Sequence, residues 1–297
     1  MSENNAESDD NRKRVQIALA MTGTFMLVEV VGGALSGSLA LLADAGHMLT
    51  DTMALGLAAV AFRVSAKPAD AKRSYGYHRF QILAAFVNGL LLIGIVGWIL
   101  MEAISRFMSP PAVMGRLMLV IAGAGLIVNV ATFLVLHGGD QENMNIRGAA
   151  LHVMGDLLGS MAAIVAAMTI IFTGWMPIDP LLSMLVAALI LRSAWRLVKH
   201  SAHVLLEGAP EWFDVEQMRQ RLSMAIPQIV SIHHVHVWGL TLQRLMLTMH
   251  VCVAARDNDA TLIVRQVKRM LKDEFGIDHS TIEVEYEHCA DEQAADC

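Results

Sequence analysis

The chain has 297 residues, a net charge of −6, 55% hydrophobic residues and 17% charged ones. Globular proteins average about 45–50% apolar and about 25% charged residues, and the mean hydropathy here is +0.49. This composition excludes a disordered chain. The acidic balance excludes a nucleic-acid binder, and three cysteines, two of them among the last nine residues, exclude a disulfide framework.

Six apolar stretches dominate the first two thirds of the chain. Each is long enough to cross a bilayer as a helix, which takes about 20 residues. They cover residues 15–35, 39–62, 80–101, 117–137, 149–172 and 178–197. Lys and Arg concentrate before the first stretch, between the second and third, and at the end of the sixth. By the positive-inside rule this predicts both termini in the cytoplasm, with a tail over 1–14 and a six-helix membrane domain over 15–199.

The last third of the chain has a different character. Residues 200–297 carry 15 Asp and Glu, 8 Lys and Arg, and 8 of the 12 His. Residues 214–225 and 260–275 have helical spacing, whereas 229–240, 244–254 and 281–287 alternate like strands. The pattern predicts a cytoplasmic α-β-β-α-β domain over 200–288, with two helices on one face of a three-stranded sheet. An acidic tail over 289–297 follows.

Two of the apolar stretches contain the same motif. His47 and Asp51 in the second stretch and His152 and Asp156 in the fifth both read H-x-x-x-D. The i, i+4 spacing puts each imidazole and its carboxylate on one helix face. Two such faces turned toward each other offer four ligands to a divalent ion, and zinc fits this set best. One pair alone could be a polar contact between helices, but the repeat favours a metal site.

Other Asp, Glu and Asn residues inside the stretches are few, and a carboxylate is costly there: Asp at a helix centre costs about 2.5–3.5 kcal/mol. They are Glu29, Asp44, Asn88, Asn129 and Asp179. Asp44 precedes His47 by one turn and is predicted to accept a hydrogen bond beside the metal, with direct ligation as the alternative. For Glu29 we expect a structural or proton-relay role rather than ligation.

Three segments carry a family resemblance: residues 25–52 (FMLVEVVGGALSGSLALLADAGHMLTDT), 149–160 (AALHVMGDLLGS) and 233–238 (HHVHVW). They resemble the cation diffusion facilitator family, and within it the bacterial zinc exporters. The resemblance implies a homodimeric zinc/proton antiporter with six spans and a cytoplasmic metallochaperone-like domain. It assigns the transport ligands to His47, Asp51, His152 and Asp156. It also implies that a histidine at position 47 favours zinc over cadmium.

The resemblance extends to the cytoplasmic domain. It implies a regulatory metal site at His233, His250 and Glu285 near a dimer interface, and a salt bridge between Arg79 and Glu207. Other conceivable ligands are expected to be ordinary residues; they are His234, His236, Asp257, Asp259, Glu283 and Cys289. Cys289 and Cys297 are expected to be untethered thiols.

Some family members hold a metal in the loop between the second and third spans. Here Asp70 and His78 are the only candidates in that loop, and the basic Lys72 and Arg73 stand where further ligands would be needed. We therefore expect no metal there.

Three functions are compatible with metal ligands in a membrane. A membrane metalloenzyme is the first: a zinc protease would need H-E-x-x-H, which is absent from the sequence. A di-iron oxidase would need several His boxes at the cytoplasmic ends of spans, and only four histidines precede residue 200. A metal sensor would need an output domain larger than the one predicted. The remaining class is an exporter, not an enzyme, which moves Zn²⁺ or a broader set of divalent cations (Cd²⁺, Co²⁺, Ni²⁺) out of the cytoplasm across the inner membrane.

The driving force is predicted from the ligands. The sequence contains no G-x-x-x-x-G-K-[ST] loop, so no nucleotide is expected. Metal binding needs neutral imidazole and ionised carboxylate, so it displaces protons. A free imidazole titrates at about pH 6.5, which predicts exchange of zinc against protons.

Overall fold

The computed structural model describes residues 2–137, 144–241, 244–254 and 259–286, and the side chains at some helical positions, Asp51 and His152 among them, lie outside this description. The chain forms two compact units. The helix unit comprises Met1–Ala59 and Val87–Val198, and the sheet unit comprises Val60–Phe86 and Lys199–Cys297.

Six long helices come first in the chain. They are α1 (Ser2–Ser36), α2 (Leu39–Ser65), α3 (Phe80–Met108), α4 (Gly115–His137), α5 (Met144–Thr173) and α6 (Ile178–Leu205). Among the described residues, all but α2 are apolar over a length that can cross a membrane. The described apolar part of α2 is shorter, Leu39–Thr50, but the helix has 27 residues. At 1.5 Å per residue it is about 40 Å long, which exceeds a hydrocarbon core of about 30 Å. The predicted six-span fold is confirmed.

The helix ends differ from the limits of the apolar stretches. α1 begins at Ser2, α3 continues to Met108 and α6 continues to Leu205. Hydropathy locates the part of a helix that suits lipid, whereas the helix itself ends where its backbone hydrogen bonds end. In α3 that point comes just before Pro110, which cannot donate a hydrogen bond.

Helix α2 lies between two apolar cores of the helix unit. Leu41 and Met48 pack with residues of α1, α4 and α5. Leu39 and Ala43 pack with residues of α3 and α6. The helix that carries the first H-x-x-x-D motif is therefore buried on two sides along its first half.

The sheet unit contains the predicted α-β-β-α-β order, which is confirmed. Its elements are α7 (Val215–Ala225), β1 (Ile229–Gly239), β2 (Leu245–Val253), α8 (Ala260–Phe275) and β3 (His279–Tyr286). The strands lie in the order β1-β2-β3, with β1 antiparallel and β3 parallel to β2.

Alternation along β2 separates the two faces of the sheet. Leu247, Met249 and Val251 pack into a core with both helices, for example with Met218 of α7 and Val267 of α8. The intervening side chains of β2 point to the face that the helices leave open. That open face carries the histidines discussed below.

Candidate functional site

Three of the buried carboxyl groups in the described part of the helix unit lie close to one another. Glu29 of α1 is 1% exposed, Asp44 of α2 is 6% exposed and Asp156 of α5 is 2% exposed. The carboxyl groups of Glu29, Asp44 and Asp156 are close enough to interact electrostatically.

Glycines allow the helices to approach each other at this acidic cluster. A Cβ on Gly159 of α5 would lie 3.0 Å from Asp44 Oδ1, and one on Gly125 of α4 would lie 3.3 Å from Glu29 Oε1. One turn after Gly125 on α4, Asn129 Nδ2 donates to Ser160 Oγ of α5 at 3.2 Å and links the two helices. The acidic residues of α1, α2 and α5 can therefore lie close together, because a side chain at position 125 or 159 would push the helices apart.

The four predicted transport ligands fall on α2 and α5. His47 is half-buried and lies one turn beyond Asp44, whereas Asp156 is buried. Asp51 and His152 lie within the same two continuous helices, but their side chains are outside the described residues. The i, i+4 relation of each pair holds because neither helix is interrupted between its His and its Asp.

Buried carboxylates need compensating positive charge. In the described part of the helix unit, the acidic cluster lies among apolar side chains of the α1, α2, α4 and α5 core. Ionised groups in such surroundings are strongly destabilising unless they are paired or bind a cation. Carboxylates beside an imidazole suit a divalent metal, and the same groups can take up protons when the metal leaves.

A second cluster lies on the open face of the sheet. Glu285 of β3 is buried, with Oε1 2.9 Å from His250 Nδ1 and Oε2 3.0 Å from His233 Nε2. Tetrahedral zinc with bonds of about 2.0–2.1 Å holds its ligand atoms about 3.3 Å apart. The two contacts of Glu285 are within a few tenths of an ångström of that spacing.

His234 joins this cluster, although strand alternation predicts it on the other face from His233. The ring nitrogens of His233, His234 and His250 lie within 4.8 Å of one another. The cause is a β-bulge: the pairing shifts from His233↔His250 to His236↔Thr248, and His234 adopts φ 48°. A bulge inserts an extra residue into the strand and so breaks the alternation of its side chains. No residue type in this sequence predicts the bulge.

The other conceivable ligands have different surroundings. His236 is exposed and lies outside the group of three histidines, whereas the exposed Glu283 has Oε2 3.6 Å from His250 Nε2. Asp259 caps α8 by accepting hydrogen bonds from the amides of Thr261 and Leu262. Asp257, Cys289 and Cys297 lie outside the described residues.

The loop between α2 and α3 uses Asp70 for its own structure. The Tyr77 hydroxyl donates to Asp70 Oδ2 at 2.7 Å, and the amides of Lys72 and Arg73 donate to Oδ1 at 2.8 Å each. The Tyr77 hydrogen bond, followed by the Lys72 amide, holds the pKa of Asp70 below its usual value. His78 is engaged elsewhere, with Nε2 3.0 Å from Arg244 Nη1. These contacts leave Asp70 and His78 poorly placed to share a metal.

Arg79 and Glu207 lie side by side in the sheet unit. Arg79 Nη1 is 3.0 Å from Glu207 Oε1. Glu207 follows α6 with φ 62°, its amide donates to Val204 O, and the Gly208 amide donates to His203 O. These two bonds form a Schellman motif. A role of this ion pair in transport stays a prediction.

Comparison with known proteins agrees with this arrangement. A family model described as the cation efflux transmembrane domain matches residues 15–206, and one described as the cytoplasmic domain of cation efflux proteins matches residues 210–287. The chain belongs to the cation efflux family, the cation diffusion facilitators, and is a multi-pass membrane protein of a family of transporters rather than enzymes.

Named relatives match over nearly the whole chain. Zinc transporter ZitB of Escherichia coli (strain K12) is 50% identical over 283 residues, which is 95% of this chain and 90% of that protein. Metal cation efflux system protein CzcD of Cupriavidus metallidurans is 43% identical over 285 residues, 96% and 90% of the two chains. A Bacillus subtilis protein named cadmium, cobalt and zinc/H(+)-K(+) antiporter is 43% identical over 284 residues, 93% and 90% of the two chains.

One solved structure covers part of the sheet unit. It is the metal-bound C-terminal domain of the CzcD transporter, 33% identical, matching 25% of this chain and 99% of that one with a TM-score of 0.23.

Proposed function

We propose that this protein exports Zn²⁺ from the cytoplasm in exchange for protons, with His47, Asp51, His152 and Asp156 as the transport ligands. The observation that carries the proposal is the buried acidic cluster beside His47, where Asp44 of α2 and Asp156 of α5 interact. The zinc transporter relatives support zinc as the ion.

The proposed cycle follows from the charges of the site. A site open to the cytoplasm releases protons and binds zinc, because zinc needs neutral imidazole and ionised carboxylate. A site open to a more acidic exterior takes up protons and releases zinc. Zinc affinity should therefore fall as the pH drops through the histidine range, at about pH 6.5. At least one proton is returned for each zinc ion.

The test uses purified full-length protein in vesicles with an imposed pH gradient. Zinc should move toward the acidic side, and protons should move the opposite way. His47→Ala, Asp51→Ala, His152→Ala and Asp156→Ala should each abolish zinc flux while the protein still inserts into the membrane. His137→Ala removes an imidazole at the end of α4 and serves as the matched control. Normal zinc flux by either Asp variant would contradict this site, and flux that ignores the gradient would contradict antiport.

A broader divalent-cation exporter is the second candidate function. The Bacillus subtilis relative's name includes cadmium and cobalt as well as zinc. Imidazole and carboxylate ligands suit several first-row divalent ions. Uptake rates for Zn²⁺, Cd²⁺, Co²⁺ and Ni²⁺ decide between the two. His47→Asp should relax discrimination toward Cd²⁺, and an unchanged zinc-to-cadmium ratio would count against a selective role for His47.

The cytoplasmic domain over residues 200–288, which lies within the sheet unit, is proposed as a regulatory and dimerisation domain. Zinc bound by His233, His250 and Glu285, with His234 as an added ligand, would offset the negative charge of Glu285 and Glu283 and tighten a homodimer. Mass measurement of the protein in detergent, with and without zinc, tests this: the dimer fraction should rise with zinc in the wild type and not in His250→Ala.

The proposed location is the cytoplasmic (inner) membrane, with both termini in the cytoplasm. The basic residues just before the apolar part of α1 (Gln16–Ser36) and those between α2 and α3 support this orientation. Reporter enzymes fused to each terminus, one active only in the cytoplasm and one only outside it, would test the orientation.

A further inference from the structure

The turn between α1 and α2 is held by an acidic side chain from a distant part of the chain. Gly37 adopts φ 71° at this turn. Asp179, near the start of α6, is 0% exposed. Its carboxylate accepts hydrogen bonds from Ser38 Oγ at 2.6 Å, from the Leu39 amide at 2.7 Å and from the Ala40 amide at 3.2 Å.

These contacts satisfy the first amides of α2. The first four N–H groups of a helix have no partner within the helix, and the positive end of the helix dipole favours a carboxylate there. Ser38 caps the helix in the ordinary way, since its hydroxyl accepts from the Leu41 amide at 3.3 Å. Asp179 adds a second cap from another helix, so α2 and α6 are joined through backbone amides.

At the same turn, a positively charged side chain binds the carbonyl end of α1. Arg106 of α3 donates from Nη1 to Gly37 O at 2.6 Å, and its Nε donates to Glu102 Oε1 at 2.8 Å. The Met114 amide donates to Ser36 O at 2.8 Å. A cation is favoured at the carbonyl end of a helix. The turn is therefore fixed from both sides.

Fixing the start of α2 also fixes the residues that follow it. Along a helix that rises 1.5 Å per residue, Asp44 lies about 7.5 Å beyond Leu39 and His47 lies about 12 Å beyond it. Helix α2 continues without interruption through both positions. A shift or rotation of the helix start therefore displaces Asp44 and His47 by a similar amount.

We propose that Asp179 is a positioning residue for the transport site, acting through the N-terminus of α2; this rests on the proposed function. Burial alone does not explain the residue. Leu39, Leu41 and Ala43 already pack fully, and an apolar side chain at position 179 would avoid the desolvation of a carboxylate. The carboxylate adds directional hydrogen bonds to the start of α2, and these fix the positions of Asp44 and His47.

The first test measures zinc affinity in transport. Asp179→Asn keeps the volume but places an NH₂ group opposite hydrogen-bond donors of the α2 start. Full-length protein in vesicles should show an apparent KM for zinc raised about tenfold, by analogy with the 10–100-fold cost of losing groups that orient metal ligands. Ser183→Ala is the matched control: Ser183 is buried one turn along α6, and its hydroxyl donates to Asp179 O at 2.7 Å. The control should keep the wild-type KM.

The two possible roles of Asp179 give different kinetics. A purely structural role would lower the number of active molecules and the maximal rate while leaving KM unchanged. That result would overturn the proposal. If Asp179→Asn does not fold, Ser38→Ala removes one of the three contacts together with the cap on the Leu41 amide. It should raise KM in the same direction, and an unchanged KM would overturn the proposal as well.

The second test does not depend on zinc. Amide hydrogen exchange of Leu39 and Ala40 should accelerate in Asp179→Asn relative to the wild type and Ser183→Ala. Unchanged exchange would overturn the proposal. If the wild type does not transport zinc, the proposed function is wrong. The exchange result still shows whether Asp179 holds the start of α2.

Discussion

Replacing Gly159 with alanine should disturb Asp44, and Gly155→Ala, one turn earlier on α5, provides the matched control. A Cβ at position 159 would lie 3.0 Å from Asp44 Oδ1, 3.4 Å from Cγ and 3.5 Å from Oδ2. Among the described residues, a Cβ at position 155 would meet nothing within 4 Å. The same chemical change is thus crowded at one position and unobstructed at the other.

The magnitudes follow from two opposing effects. Alanine stabilises a helix interior over glycine by about 0.8–1 kcal/mol, whereas overpacking costs about 1–3 kcal/mol. Gly155→Ala should therefore be about 1 kcal/mol more stable than the wild type, and Gly159→Ala should be near the wild type or up to about 2 kcal/mol less stable. Their difference, about 1–3 kcal/mol, is the free energy of crowding against Asp44.

The assay combines unfolding of the purified protein in detergent with zinc flux in vesicles. At low zinc, Gly159→Ala should transport about tenfold more slowly, within the range found for groups that orient metal ligands, and Gly155→Ala should transport at the wild-type rate. Equal stability and equal flux in the two variants would refute the reasoning, because Gly159 would then not hold α5 against Asp44.

Three further predictions concern the sheet unit. Arg79→Glu should lower zinc flux and Glu207→Arg in the same chain should restore part of it; the exposed pair is worth only about 0.2–1 kcal/mol, so a loss without rescue would argue against direct pairing. The bond from Tyr77 to Asp70 lowers the pKa of Asp70 and raises the pKa of Tyr77. The loop contact should therefore be lost in acid only below the usual Asp range and in base only above the usual Tyr range, and Asp70→Asn should lower the pKa of Tyr77 in an ultraviolet titration. Glu285→Gln should reduce the stabilisation by zinc, which is about 2.7 kcal/mol when the ion is at 100 times its Kd; full stabilisation of the variant in calorimetry would remove Glu285 from the site.

The parts of the fold that the sequence predicts are those with a local physical cause. Six spans are predictable because a bilayer demands long apolar runs. The limits of α8 are predicted to the residue, because the sequence holds Asp259 at its start and Gly276, with φ 65°, after its end. That His47 and Asp51 lie one turn apart on α2 follows from helical spacing alone.

The parts that could not be predicted depend on distant contacts or on irregular backbone. The bulge that brings His234 to His250 breaks the alternation on which the strand prediction rests. Asp179 is visible in the sequence as a charge in an apolar stretch, but two of its three partners are backbone amides about 140 positions away, and every residue type except proline offers the same amide. Sequence patterns therefore show which side chains are unusual, but they do not show which backbone groups those side chains contact.

Glu207 shows what the Schellman motif at the end of α6 demands of its side chain. The position with φ 62° normally holds glycine, and any other residue there costs about 1–2 kcal/mol. The exposed ion pair with Arg79 returns about 0.2–1 kcal/mol at most. For stability alone glycine would be favoured at position 207, so a role of the Arg79 ion pair in transport would make Glu207 a trade-off between stability and activity. A Glu207→Gly protein should melt at the same or a higher temperature and export zinc more slowly; a variant that both melts higher and transports normally would assign Glu207 to neutral drift.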